Sequence, residues 1–141
     1  MSTRADNFTQ LRKTPDLFSD FMQDLTPHPI SHDIGRLRND HSIKQALKNI
    51  IMTNLGERPF QPNLGSDVMN SLFEPNSIIT RQQIKSSIEN AVKFHEPRVH
   101  LIEVNVNTRE SDETAIDVNI VFSIINSIDV LSLNLILRRV R

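Results

Sequence analysis

Apolar residues in the middle of the chain recur with the helical period. Ile43, Ala46, Leu47, Ile50 and Ile51 fall at i, i+3, i+4, i+7 and i+8, with Lys44 and Lys48 on the opposite face. Such a stripe predicts an amphipathic helix. Asp40 or Ser42 is placed to cap its start, and Gly56 stands where a left-handed residue would close it. A second stripe, Ile84, Ile88, Ala91, Val92 and His95, lies across from a charge ladder of Lys85, Glu89 and Lys93. Thr80-Arg81-Gln82-Gln83 has the spacing of a capping box at its start, and Pro97 ends it. Between the two helices, Ser66 can cap a short turn carrying Val68, Met69, Leu72 and Phe73, stopped by Pro75.

Past Pro97 the period changes to two. Ile102, Val104 and Val106 share one face; so do Ile116, Val118, Ile120, Phe122 and Ile124, and then Leu131, Leu133, Leu135 and Leu137. Short polar connections at residues 109–113 and 126–129 predict a three-stranded antiparallel meander with one wet face. Its central strand is 114–124, and 99–107 and 129–139 are its edges. Helices first and strands afterwards make an α+β fold, with the helices on one face of the sheet. Residues 41–141 read as one domain.

Residues 1–40 read differently, as an N-terminal arm that lies on the domain or on a neighbour. Thr14-Pro15-Asp16 has the form of a helix start, with Leu17, Phe18, Phe21 and Leu25 following on one face. Pro27 and Pro29 then make the chain extended.

Composition narrows the chemistry. In 141 residues, 16 Lys and Arg face 17 Asp and Glu, a net charge of −1, which offers no global basic field for nucleic acid. The absence of cysteine removes disulfides, thiolate metal sites and cysteine nucleophiles. Trp and Tyr are also absent, which disfavours sites that stack sugars or bases. The first residues, Met1 to Asp6, lack a secretory apolar stretch, and polar residues interrupt Ile116–Leu137 too often for a membrane span. A soluble, intracellularly made protein is expected.

No residue constellation predicts a metal or cofactor. His28 and His32 are four apart, but prolines flank His28; His95 reads as a packed core histidine, and His100 lies off the helix. Gly35, Gly56 and Gly65 are isolated, so no phosphate loop is present, and no serine sits in a nucleophile elbow. Glu57, Glu74, Glu89 and Glu96 leave a glycosidase-type carboxylate pair as the one catalytic alternative. Arg138, Arg139 and Arg141 form a small basic end.

A polar cluster remains that helices and strands do not require. Gly56-Glu57-Arg58-Pro59-Phe60, Pro62-Asn63-Leu64-Gly65 and Leu72-Phe73-Glu74-Pro75 fill the connection between the helices, and Glu96-Pro97-Arg98 joins the last helix to the sheet. Turn punctuation accounts for the Gly and Pro positions but not for the accompanying charges. In this order, and following Ile43 to Ile51, the blocks resemble the wedge sheath-initiator family of contractile phage tails. That family is typified by T-even baseplates and includes a baseplate component of type VI secretion systems. The resemblance covers about residues 40–125, with Asn63 where Asp is common and His95 where an aromatic is common.

The resemblance implies a structural, non-enzymatic virion protein, assembled in the host cytoplasm, in the inner baseplate wedge beside the tail tube. Its implied partners are the tail sheath protein, whose first ring it templates, and other wedge proteins; neither nucleic acid nor membrane is among them. Glu96, Pro97 and Arg98 are the implied central interaction element. Glu57 and Arg58 are further expected partner contacts. The last strand carries no proline and gathers its charges only at its end, so its edge is open to an added strand, with Asn134 and Arg138 on it. Some relatives carry a lysozyme-like label, which makes a peptidoglycan hydrolase the alternative. Arg98 and Glu96 are expected to pair at the helix end, either fixing the turn or facing a partner, with the small stability contribution of an exposed pair.

Overall fold

The computed structural model describes residues 16–109, 112–125 and 127–138. The elements run β1 (Ser19–Phe21), β2 (Arg36–Arg38), α1 (Asp40–Met52), α2 (Val68–Ser71), α3 (Ile78–His95), β3 (Val99–Arg109), β4 (Asp112–Ile124) and β5 (Val130–Arg138). β3, β4 and β5 form an antiparallel meander with β4 central, and β1 and β2 form a separate two-stranded ribbon. The α+β meander expected from the change of period is the observed one.

One face of the meander and the inner faces of the helices make the core. Ile43, Leu47 and Ile51 from α1, Val68 from α2, and Ile84, Ile88 and Val92 from α3 meet Val104, Ile120, Phe122 and Leu137, all at most 2% exposed. Each such side chain contributes about 1.5–3 kcal/mol of transfer free energy. This sum fixes which face of every element points inward.

The element ends depart from the sequence expectation where distant residues intervene. α1 is preceded by Asn39, whose side chain makes no cap; its Oδ1 instead accepts the Leu17 N–H at 2.9 Å. Neither Asp40 nor Ser42 is the cap, and both lie inside the helix. α1 ends at Met52 with Thr53 extended, so Gly56 does not close it. Gly56 has a φ of 82°, and its N–H donates to the Pro62 carbonyl inside the following loop. α3 starts at Ile78, capped by Ser77, whose Oγ accepts the Thr80 N–H at 3.1 Å. Thr80 is buried in the first turn and its hydroxyl donates to the Pro75 carbonyl at 2.7 Å. Expected as a packed, hydrogen-bonded residue, His95 is half-buried, and its ring makes no hydrogen bond among the described residues.

Two further corrections concern strands. The helix expected after Thr14-Pro15-Asp16 is absent from its described part: Ser19–Phe21 is a strand pairing with Arg36–Arg38, and Thr14 and Pro15 lie outside the described residues. Long-range pairing overrode a local start signal. In β3 a register shift between Leu101 and Glu103 leaves Ile102 as an extra residue. Val99 and Leu101 therefore pack inward with Val104 and Val106, while Ile102 is exposed rather than sharing their face.

Candidate functional site

α3 positions the first candidate. Its last N–H bond, from Glu96 to the Val92 carbonyl at 2.9 Å, brings Glu96 over the core before Pro97 stops the helix. The Glu96 side chain is buried, only 4% exposed. Arg98 returns onto it as a fork: Nε donates to Oε1 at 2.6 Å and Nη2 to Oε2 at 2.7 Å. The Arg98 carbonyl accepts the Ile125 N–H at 2.9 Å, which ties the fork to the end of β4. Pro97 is exposed between them.

This geometry corrects the expectation of an exposed pair. Only the arginine side meets water, at 38% exposure. Bidentate guanidinium–carboxylate pairs are strong because both partners are charged and planar. The Glu96 hydrogen bond holds the Arg98 pKa above its ordinary value; burial opposes this, and the charges of Glu96 and Asp20 add to it. The sign of that shift keeps the arginine's contribution whole at and below the unfolded value, and it falls away only as pH rises through the folded one.

Arg98 has a third neighbour that no sequence pattern indicated. The Phe18 ring lies 5.4 Å from the guanidinium carbon, within cation–π range. Phe18 also packs against the core cluster, so the arm lies on the domain at this point.

Glu57 and Arg58 sit on the loop between α1 and α2. Ser66 closes that loop, its N–H bonding the Thr53 carbonyl at 2.9 Å and its hydroxyl the Ile51 carbonyl at 2.7 Å. Glu57 turns back to accept the Asn54 N–H at 2.9 Å, so its carboxylate shapes the loop. Arg58 is exposed, and Phe60 beside it is 99% exposed. Asn134 and Arg138 are exposed on β5. No hydrogen bond or ion pair among the described residues joins these three patches.

No strand among the described residues pairs with the outer edge of β5. Among those same residues no group of three or more His, Asp or Glu is placed to hold a metal ion, and no helix is long and apolar enough to cross a membrane.

Residues 38–128 match the family of baseplate wedge protein gp25. The chain belongs to that family. It is 40% identical over 97 residues to baseplate wedge protein gp25 of Enterobacteria phage T4, covering 69% of this chain and 73% of that protein. Membership places the chain among the virion's tail-baseplate proteins. The fold is shared with a chain of the anti-feeding prophage baseplate, with a TM-score of 0.69, 20% identity and coverage of 79% of this chain and 89% of that one. It is also shared with a crystal structure from Geobacter sulfurreducens provisionally named a tail lysozyme, with a TM-score of 0.65, 22% identity and coverage of 70% and 89%. At such identities the likeness is one of fold, and the lysozyme name carries no activity to this wedge-family chain. The family match begins at residue 38, so the ribbon bearing Phe18 stands almost wholly ahead of it.

Proposed function

We propose that this wedge-family protein templates the first ring of a contractile sheath, by accepting a sheath strand on the outer edge of β5. The observation that carries this reading is the edge itself. β5 is a nine-residue strand without proline or glycine, and none of the described residues pairs with its outer side. Arg138, at its end, is its only charge. Such an edge is a template for pairing, and strand addition supplies main-chain hydrogen bonds for affinity and alternate side chains for register. The other edge, β3, is broken at Ile102 by its bulge, which bends a strand and disrupts a ladder.

The Glu96–Arg98 junction, with Pro97 and the Glu57–Arg58 loop, then faces neighbouring wedge proteins and the tail tube. Particles of this kind assemble in the host cytoplasm before the virion is complete. A peptidoglycan hydrolase draws little from this geometry. Glu96 is the one buried carboxylate among the described residues, and Arg98 occupies both its oxygens.

Co-sedimentation with the contractile-sheath protein tests the reading. Wild-type chain should pellet with sheath protein and seed its polymerisation, and Asn134→Lys should do so poorly while remaining folded, since edge lysines discourage pairing. Equal seeding by the two would overturn β5 as the template. Hydrolysis of purified cell walls that Glu96→Gln abolishes in a folded chain would reinstate the enzyme.

A further inference from the structure

The arm meets the junction through one side chain. The Arg98 guanidinium carbon sits over the Phe18 ring, 5.4 Å from its centroid, and Asp20, two residues on, adds its charge to the same group. Glu96 takes the Nε–Nη2 edge. Arg98 is therefore held from two sides by two separate parts of the chain, one inside the family match and one ahead of it.

The rest of the arm is lightly attached. Of residues 16–38, Gly35 is buried, Phe18 and Leu37 are half-buried, and all others are exposed. The β1–β2 ladder has three residue pairs. Two side chains latch it to α1. Asn39 accepts the Leu17 N–H through Oδ1, and its own N–H donates to the Phe18 carbonyl. Gln45 accepts the Gln23 N–H and donates to the Phe21 carbonyl at 2.8 Å. The chain enters α1 through Asn39 at a φ of 48°, a left-handed value that stores backbone strain at the hinge. Few buried contacts and solvent-facing hydrogen bonds describe a segment that opens well below the free energy of global unfolding.

We propose that residues 16–38 are a strap that closes over Arg98 in the free chain and lifts to uncover the guanidinium when a partner engages the junction. The inference rests on the partner role proposed for Arg98. Its test uses the isolated full-length chain, so failure of the strap and failure of that role are separate results.

Phenylglyoxal, which modifies accessible guanidinium groups, reports the cover directly. Phe18→Ala should raise the modification rate of Arg98 several-fold, while Arg81, held by Thr108 at 2.8 Å, keeps its rate. In the wild-type chain, the amides of Asn39 and Met22, which close the latch and the ribbon, should exchange at least about tenfold faster than those of Ile88 and Ile120. An unchanged Arg98 rate in Phe18→Ala would overturn the strap. So would Asn39 and Met22 amides that exchange only with the core, or a Phe18→Ala chain that cannot fold, because residues 16–38 would then be an integral part of the domain.

Discussion

Asn119 on the central strand lies directly opposite Asn134 on β5, and its Oδ1 is buried with no hydrogen-bond partner among the described residues. Asn134, its cross-strand neighbour, is exposed. A buried acceptor left unpaired costs about 1–3 kcal/mol, and Asn is a poor strand former. Asn119→Val should therefore stabilise the chain by about 1 kcal/mol, read as a raised urea midpoint at unchanged slope. A lowered midpoint would mean that the amide is satisfied after all.

Removing Arg98 should do more than remove a surface charge. Arg98→Ala strands the buried Glu96 carboxylate, and breaking a buried pair costs about 3–5 kcal/mol. Water reaches the arginine side, which lowers the expected loss to about 2–3 kcal/mol. Adding Glu96→Gln should recover part of that loss, because an amide is cheaper to bury than an unpaired charge. A loss under about 0.5 kcal/mol for Arg98→Ala, as surface substitutions give, would contradict the buried fork.

Two glycines of the α1–α2 loop should separate in urea titrations. Both are left-handed, Gly56 at φ 82° and Gly65 at φ 129°. A Cβ at Gly56 would meet nothing, whereas one at Gly65 would run into the Thr53 carbonyl. Gly56→Ala should cost about 1 kcal/mol from backbone conformation alone, and Gly65→Ala about 2–3 kcal/mol once the collision shifts the loop. Equal losses would mean that the loop relaxes freely around residue 65.

Asp112, at the start of β4, should titrate below the ordinary aspartate range. The Thr114 hydroxyl and N–H both donate to its Oδ1, at 2.6 and 3.0 Å. The side-chain bond is the largest cause, followed by the backbone bond; burial opposes them, and the charges of Arg138 and Arg109 assist. A depressed pKa means that its stabilisation is present above the unfolded value and is lost as pH falls through the folded one. Carboxyl NMR should place the midpoint below that of a free aspartate, and Asp112→Asn should remove this part of the acid dependence. An Asp112 that titrates normally would mean that the Thr114 bonds are not kept in solution.

Amide exchange tests the β5 edge without any partner. In an antiparallel pair alternate amides of an edge strand point away from its neighbour. Such amides between Val130 and Leu137 should exchange much faster than those of residues 116–124, then slow when sheath protein is added. If they are already protected in the isolated chain, part of that chain covers the edge, and strand addition at β5 is ruled out.

The helices and strands were legible in the sequence because burial on one face writes a period into it. Ile43, Leu47, Ile50 and Ile51, and likewise Ile84, Ile88, Ala91 and Val92, are buried as expected, with Ala46 half-buried, and the Ile116–Ile124 and Leu131–Leu137 alternations face the core. Glu96-Pro97-Arg98 was visible as charge around a helix stop. Its character was not: local spacing says nothing about whether a carboxylate ends over solvent or over a core, and Glu96 is buried because α3 packs on β3. The ribbon at Ser19–Phe21, the recruitment of Asn39 by Leu17, and the Phe18–Arg98 contact all join residues far apart in the chain. Phase within β3 was lost for a related reason, since the extra residue at Ile102 is defined only against its partner strand. Periodicity is a local record of which face is buried. Closure of distant segments depends on loop geometry and on competition among contacts, and only the folded chain decides it.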